Sequence, residues 1–201
     1  MKIICIGKNY VNHAKEMGSE IAKEPLFFLK PDSAILPKKH PFFIPDFSKE
    51  IHYELELLIK IKKLGKHIGK KFASSYYSEI GLGIDFTARD LQNECKINGH
   101  PWEKAKAFDH SAVIGSAFYS INNLNEIHFE LKKNGNLVQQ GNANDMVFNF
   151  DDIIHHVSKF MTLKIGDIIF TGTPEGVGPV KIGDYLEGFL NGNKIIDLNI
   201  K

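Results

Sequence analysis

Three acidic residues are spaced so that they could do chemistry together. Glu54 and Glu56 lie two apart in the alternating run EIHYELELLIKIKK, and Asp85 closes a second apolar run, GLGID. On a strand, side chains two apart share a face, about 7 Å apart along the backbone. If the two runs are neighbours, three carboxylates converge into a hard-oxygen pocket suited to Mg²⁺ or Mn²⁺. The same residues allow plainer outcomes. An E-x-E pair on a strand commonly points to solvent, and a lone Asp before a helix start also serves as a helix cap. Two details favour the pocket: His52 shares the expected face of Glu54 and Glu56, and Asp85 is flanked by Gly83 and Thr87.

Other polar residues offer partners for such a site. GIDFTARDLQNE sets Arg89 and Gln92 three apart, on one face of a helix. A salt-bridged surface helix satisfies that pattern, and so do a cation and an amide aimed at a carboxylate or oxyanion. In WEKAKAFDHS, Lys106 is surrounded by Ala105, Ala107 and Phe108. Loop lysines are usually solvated, but apolar neighbours suit an ammonium held in a partly closed site, where it stabilises developing negative charge. KNYVNHAKE places His13 and Glu16 three apart. At that spacing a carboxylate can orient an imidazole as a general base, although an exposed His–Glu pair is the commoner case. The other histidines, His155 and His156 included, show no ligand pattern. FTGTPEGVGPV supplies backbone N–H groups beside Thr171 and Thr173, able to hold an anion. It lacks the Gly-Lys-Ser/Thr ending of a phosphate loop.

These residues need strands to position them. Ile3–Ile6 reads as a short buried strand ending at Gly7, and Asn9 as the cap of a helix over Tyr10–Met17. Leu26–Leu29 reads as a strand closed by Pro31; Pro37, Pro41 and Pro45 then break the chain into loops. His52–Lys62 alternates with period two and is predicted as one strand. His52, Glu54 and Glu56 take one face; Tyr53, Leu55, Leu57, Ile59 and Ile61 take the other. Gly69–Tyr77 looks weakly helical, Ile80–Asp85 and Ala112–Ile114 look like strands, and Thr87–Lys96 like a short helix. Gly99–Asp109 reads as a loop around Trp102. Asn134-Gly135 and Asn191-Gly192 mark hairpins. Asp151-Asp152 opens an amphipathic helix to about Met161, with Ile153, Ile154, Val157, Phe160 and Met161 as its buried stripe. Ile168–Thr171 is a strand leading into the Gly/Pro-rich loop. Many strands with three or four short helices predict a β-rich α+β fold, in a single domain over residues 1–201.

Composition narrows the partners. A net charge of +1 with both signs well mixed argues against nucleic acid or an anionic membrane. Cys5 and Cys95 are far apart and form no metal-spaced pair, which fits a reducing, cytoplasmic compartment. The apolar run in MKIICIGKNY is too short for a secretion signal, and no run reaches the roughly 18 apolar residues of a membrane span.

Seven motifs in this order, GKNYVNHAKE, EPLFFLKP, HYELELLI, GIDFTARDLQ, KINGHPWEKAKAFD, GDIIFTGTPEGVGPV and GDYLE, resemble the fumarylacetoacetate hydrolase family. The resemblance runs nearly end to end and is strongest to the short acylpyruvate hydrolase / oxaloacetate decarboxylase branch. It implies a β-rich roll of mixed sheets and a homodimer. It implies that Glu54, Glu56 and Asp85 bind Mg²⁺ or Mn²⁺, and that His13 and Glu16 activate water from a helix acting as a lid. It further implies that Lys106 stabilises an oxyanion or enolate, that Arg89 and Gln92 lie over a small 2-oxo acid substrate, and that Thr173 holds its carboxylate. Lys8 and Lys30 are implied as further substrate contacts. The implied activity is hydrolysis of acylpyruvates to pyruvate and a carboxylate, with decarboxylation of oxaloacetate beside it. The alternatives are an isomerase/decarboxylase of the 2-hydroxyhepta-2,4-diene-1,7-dioate type, an oxaloacetate keto–enol tautomerase, and a silent metabolite-binding protein. Retention of His13, Glu16 and Lys106 with all three carboxylates counts against silence. Three positions depart from common family usage: Lys8 stands for Arg, Ala143 for Thr and Tyr53 for His.

Overall fold

Runs rich in Ile, Leu and Phe pair as strands throughout the computed structural model, which describes all residues except 17, 19–21 and 121–126. The first strands are β1 (Ile3–Gly7), β2 (Leu26–Lys30), β3 (Ile51–Tyr53), β4 (Leu55–Lys60), β5 (Glu79–Asp85), β6 (Thr87–Ala88) and β7 (Ala112–Ile114). They are followed by β8 (Tyr119–Ser120), β9 (His128–Lys133), β10 (Asn136–Asn142), β11 (Ile168–Phe170), β12 (Gly178–Pro179), β13 (Tyr185–Leu190) and β14 (Asn193–Asn199). The α-helices are α1 (Val11–Glu16), α2 (Arg89–Asn98), α3 (Glu103–Lys106) and α4 (Phe150–Phe160).

The largest sheet has the order β2-β1-β11-β4-β5-β7, with β8 beside β5. β1 and β11 are parallel, and the other pairings in it are antiparallel. Its central strands bury both faces, which is why IICI, LELLI and IIF read as nearly continuous apolar runs. A second sheet, β10-β9-β13-β14, joins the two predicted hairpins. Both of its Asn-Gly turns have positive φ at both residues, 53° and 80° at Asn134-Gly135, 47° and 78° at Asn191-Gly192, the hairpin geometry that Asn-Gly favours. The third sheet is β12-β3-β6. The structure is therefore the expected β-rich roll of mixed sheets with short helices.

Five local expectations change, the first being the Gly99–Asp109 loop, which contains the short helix α3. The run His52–Lys62 is not one strand: it breaks at Glu54, with β3 in the small sheet and β4 in the large one. At the break the Glu54 carbonyl accepts from Asp85 N at 2.8 Å, while Leu55 N donates to the Gln139 side chain at 3.0 Å. Tertiary partners thus take over the ladder bonds that periodicity assumed. Helix α2 begins two residues late, because Thr87 and Ala88 pair with β3 first. Asn9 does not cap α1. Its amide bridges Phe148 N and O and Thr171 O at 2.7, 3.0 and 2.8 Å. The predicted end of that helix at Met17 lies outside the described residues. Helix α4 is capped by Asn149, whose side chain accepts from Asp152 N at 3.0 Å. Its last residue, Phe160, is 61% exposed and Met161 lies outside the helix in an extended conformation; the buried stripe is Ile153, Ile154 and Val157.

Candidate metal centre and active site

The break at Glu54 brings the acidic residues together. β4 and β5 run antiparallel with Glu56 opposite Gly83 and Leu55 opposite Ile84. That register puts Asp85, at the end of β5, beside Glu54, at the start of the break. One oxygen from each of Glu54, Glu56 and Asp85 lies within 4.8 Å of the others. All three are buried, at 6%, 2% and 1% exposure, so their alternation with apolar residues marks an interior site and not a solvent face.

Three buried carboxylates repel one another and need cations. Lys106 Nζ donates to Glu54 Oε2 at 2.7 Å, Asp85 Oδ2 at 2.9 Å and Thr87 Oγ1 at 2.5 Å. All three of its N–H groups are thereby engaged. Arg89 reaches Glu54 Oε1 at 2.5 Å and Gln92 Oε1 at 2.6 Å. Burial pushes the Glu54 carboxyl up, but Lys106, Arg89 and His13 outweigh it and hold the group well below the usual carboxylate range. Burial likewise disfavours the Lys106 ammonium, and Asp85 and Glu54 outweigh it, so Lys106 titrates above the ordinary lysine range. Glu56 is different. Burial, Asp85 and Glu54 hold its carboxyl well above the usual range, with Lys106 and the Gly172 amide offsetting them only in part.

The set fits a divalent cation. Its donors are hard carboxylate oxygens. Buried Asp85 Oδ1 accepts no hydrogen bond. Lys30 Nζ forms an ion pair with it at 2.7 Å, but the three ammonium hydrogens are shared among the carbonyls of Phe86, Lys106 and Ser111 and Ser111 Oγ. Glu56 lacks the charge partner that Glu54 has, and a cation placed among the three would provide one. Such a cation would compete with a proton for the Glu56 carboxyl, whose pKa burial, Asp85 and Glu54 hold above the usual range. Mn²⁺ affinity is therefore expected to rise about tenfold per pH unit below that pKa and to level off above it. Calorimetric titration between about pH 5 and 8 checks this.

A small cavity opens on the carboxylates. Its free volume is about 50 Å³, room for roughly three to five water-sized groups and hence for a small acid. Of the residues expected at the site, Lys8, His13, Arg89, Gln92, Lys106 and Thr173 lie on its wall with the three carboxylates. His13 is 8% exposed, and its Nδ1 is 3.1 Å from Glu16 Oε2. Nδ1 donating to a carboxylate leaves Nε2 as the basic nitrogen. Glu16 is off the cavity wall and acts on His13 from behind. Lys8 has φ +59°, a left-handed backbone uncommon for a side chain of its size and typical of a functional position. Lys30 does not reach the cavity. Its side chain is fully buried, with Nζ 2.7 Å from Asp85 Oδ1, a carboxylate of the site.

The amides of the Gly/Pro-rich loop hold anions, as its sequence suggested, and the anions are the protein's own carboxylates. Gly172 N donates to Glu56 Oε2 at 2.7 Å, and Gly176 N to Glu16 at 3.2 Å. Gly172 has φ +99°, and a Cβ there would lie 2.7 Å from Asn9 Cβ; only glycine brings this backbone so close. Thr173 Oγ1 accepts from Gln139 Nε2 at 2.8 Å, which leaves the Thr173 hydroxyl hydrogen free to donate.

Sequence reasoning missed Phe28, Lys96 and Trp102 on the wall, and Gln139, Thr87 and Ser111 behind it. Lys96 had a signal. Arg89, Gln92 and Lys96 follow the i, i+3, i+7 spacing of one helical face. Partial burial, Arg89 and Lys8 push the Lys96 ammonium below its usual range. Gln139 had no such signal, since a Gln on a strand looks solvent-facing.

Comparison with known proteins agrees with this geometry. The family model described as fumarylacetoacetate (FAA) hydrolase C-terminal matches residues 2–200. The mitochondrial oxaloacetate tautomerase FAHD1 of Mus musculus is 42% identical over 193 residues, 94% of this chain and 87% of that protein. The mitochondrial oxaloacetate decarboxylase of Dictyostelium discoideum is 43% identical over 195 residues, 95% of this chain and 89% of that one. The crystal structure of fumarylpyruvate hydrolase from Pseudomonas aeruginosa, in complex with Mn²⁺ and pyruvate, superposes with a TM-score of 0.92 at 33% identity, covering 100% of this chain and 89% of that one. This chain, with its buried carboxylate triad at the seam of two sheets and a His–Glu pair beside it, belongs to the fumarylacetoacetate hydrolase family.

Proposed function

We propose that this chain is a Mg²⁺- or Mn²⁺-dependent hydrolase that cleaves acylpyruvates to pyruvate and a carboxylate. The observation that carries the reading is His13, oriented by Glu16, on the wall of the cavity that holds Glu54, Glu56 and Asp85. A divalent cation held by the three carboxylates would supply Lewis-acid stabilisation of the charge that develops on the 2-oxo oxygen. Thr173 donates its hydroxyl hydrogen to the substrate carboxylate. His13 Nε2 takes a proton from water as the water oxygen attacks the distal carbonyl carbon. The C3–C4 bond then breaks. Its electron pair passes into the pyruvate enolate, the acyl carbon leaves as a carboxylic acid, and protonation at C3 completes pyruvate. Lys106, with its donors on Glu54, Asp85 and Thr87, stabilises the enolate through its charge until one donor exchanges onto it.

A second reading, keto–enol conversion or decarboxylation of oxaloacetate, is favoured by Lys8 and Lys96. Both line the cavity, and neither makes an ion pair among the described residues. Two uncommitted cations suit a second substrate carboxylate. The two oxaloacetate enzymes among the relatives agree with it. The reading also includes a homodimer in the cytoplasm. No helix among the described residues is long and apolar enough to cross a membrane.

Pyruvate release from acetylpyruvate, followed with Mn²⁺ and after EDTA, tests the reading. Turnover is expected with metal, loss after chelation, and recovery on adding Mg²⁺ or Mn²⁺. Turnover that survives chelation overturns the metal's role. No pyruvate release, with fast oxaloacetate enol–keto conversion, selects the second reading.

A further inference from the structure

A line of polar side chains runs from the surface to the metal-ligand candidate Glu54, and none of the steps above uses its outer half. Glu50 Oε1 lies 2.7 Å from His52 Nε2. Arg89 Nε donates to His52 Nδ1 at 3.4 Å. The terminal nitrogens of Arg89 then reach Gln92 at 2.6 Å and Glu54 at 2.5 Å.

Chemistry assigns the protons along this line. A guanidinium has donors only, so His52 Nδ1 is an unprotonated acceptor. The ring proton sits on Nε2 and points at Glu50. The segment carrying His52 is itself anchored to the start of α2. Ile51 and His52 pair with Ala88 and Thr87, Arg89 N donates to Glu50 O at 2.8 Å, and Asp90 accepts from Ser48 Oγ at 2.6 Å and Lys49 N at 2.8 Å.

We infer that His52, fixed in its Nε2–H tautomer by Glu50, is a positioning residue that aims the Arg89 guanidinium. With Nε, one hydrogen toward Gln92 and one toward Glu54 engaged, two of the five guanidinium N–H groups remain for an anionic ligand in the cavity. Gln92 and Glu54 hold the terminal nitrogens, and the His52 contact at Nε adds the third point that fixes rotation about the Cδ–Nε bond. The inference rests on Arg89 contacting a substrate carboxylate.

Two variants of the full chain test it. In His52→Asn the amide oxygen takes the place of Nδ1 and still accepts from Arg89. In His52→Leu no acceptor remains. Oxalate, a rigid stand-in for a carboxylate beside a 2-oxo group, is titrated calorimetrically against Mn²⁺-loaded protein. His52→Leu is expected to raise the oxalate Kd and the substrate KM roughly tenfold or more, with kcat within about twofold. His52→Asn is expected to restore both to within about threefold of wild type. Nitrogen-15 spectra of the imidazoles are expected to show His52 with a bare Nδ1, and Glu50→Gln to mix the two tautomers. If the Leu variant fails to fold, Glu50→Gln carries the binding test, with a severalfold rise in oxalate Kd. Wild-type oxalate affinity in His52→Leu, equal losses in the Leu and Asn variants, or a proton on Nδ1 overturns the inference. Arg89→Met separates the two claims. Unchanged oxalate affinity there overturns the role of Arg89 and this inference with it, whereas a loss there beside an unaffected His52→Leu overturns the role of His52 alone.

Discussion

Replacing His13 by Ala is expected to lower kcat for acetylpyruvate hydrolysis by about 10²–10⁴-fold. Decarboxylation and enol–keto conversion of oxaloacetate by the same variant are expected to fall by less than about tenfold, because neither needs an attacking water. The split follows from where the imidazole sits. His13 is 8% exposed at the cavity wall, its Nδ1 held by Glu16 at 3.1 Å, so Nε2 is the one nitrogen able to take a proton from water. His13 is not among the three clustered carboxylates, so Mn²⁺ affinity in the variant should stay within a few-fold of wild type. Steady-state kinetics on both substrates, with a calorimetric Mn²⁺ titration as control, reads the outcome. Equal losses on both substrates would mean that His13 serves a proton transfer common to them, and the hydrolase reading would lose its main support.

Lys106→Met is the second large effect, and it appears first in stability. Lys106 is 3% exposed and binds Glu54, Asp85 and Thr87 with its three donors. Removing the ammonium leaves Glu54 with Arg89 and Asp85 with Lys30 but without the cation they share, and since breaking a buried ion pair from one side costs about 3–5 kcal/mol where no other cation remains, the loss is expected toward the lower end of that range. Since Asp85 and Glu54 hold the Lys106 pKa above the ordinary range, the charge they need is present throughout the neutral range and is lost only as pH rises through that elevated pKa. Urea unfolding in EDTA should therefore show the full loss at neutral pH. Saturating Mn²⁺ should recover much of it, and the stabilisation by metal should exceed that of wild type, which is about 2.7 kcal/mol at a hundredfold excess over Kd. A variant as stable as wild type in EDTA would mean that the carboxylates are neutralised by protons instead.

The strands and turns were largely legible because their signals are local. Alternation, β-branched residues and the two Asn-Gly pairs are read without knowing the partner strand. What sequence could not show was which residues replace the backbone where a regular pattern stops. The period-two run through Glu54 concealed a break between sheets, since nothing local shows that Leu55 N bonds to Gln139. The site residues were legible as types and spacings, and the family resemblance assembled them. Their division of labour was not legible. Lys30 and Lys106 both read as loop or turn lysines near the substrate, yet one is sealed beneath Asp85 and the other faces the cavity. Likewise, the loop amides read as able to hold an anion, but not which one: they hold Glu56 and Glu16, and only the folded chain shows which carboxylate reaches them.

That loop has a further consequence. Within five residues, Gly172 holds one of the metal-ligand candidates, Thr173 faces the cavity, and Gly176 holds the acid that orients His13. One short, glycine-constrained segment therefore responds to events on both sides of the cavity. A cation bound at Glu56 and the helix bearing His13 would thus share one support. If binding at one alters the other, the effect would be reciprocal and equal in size, so cation exchange would differ between an empty cavity and one holding a ligand against His13.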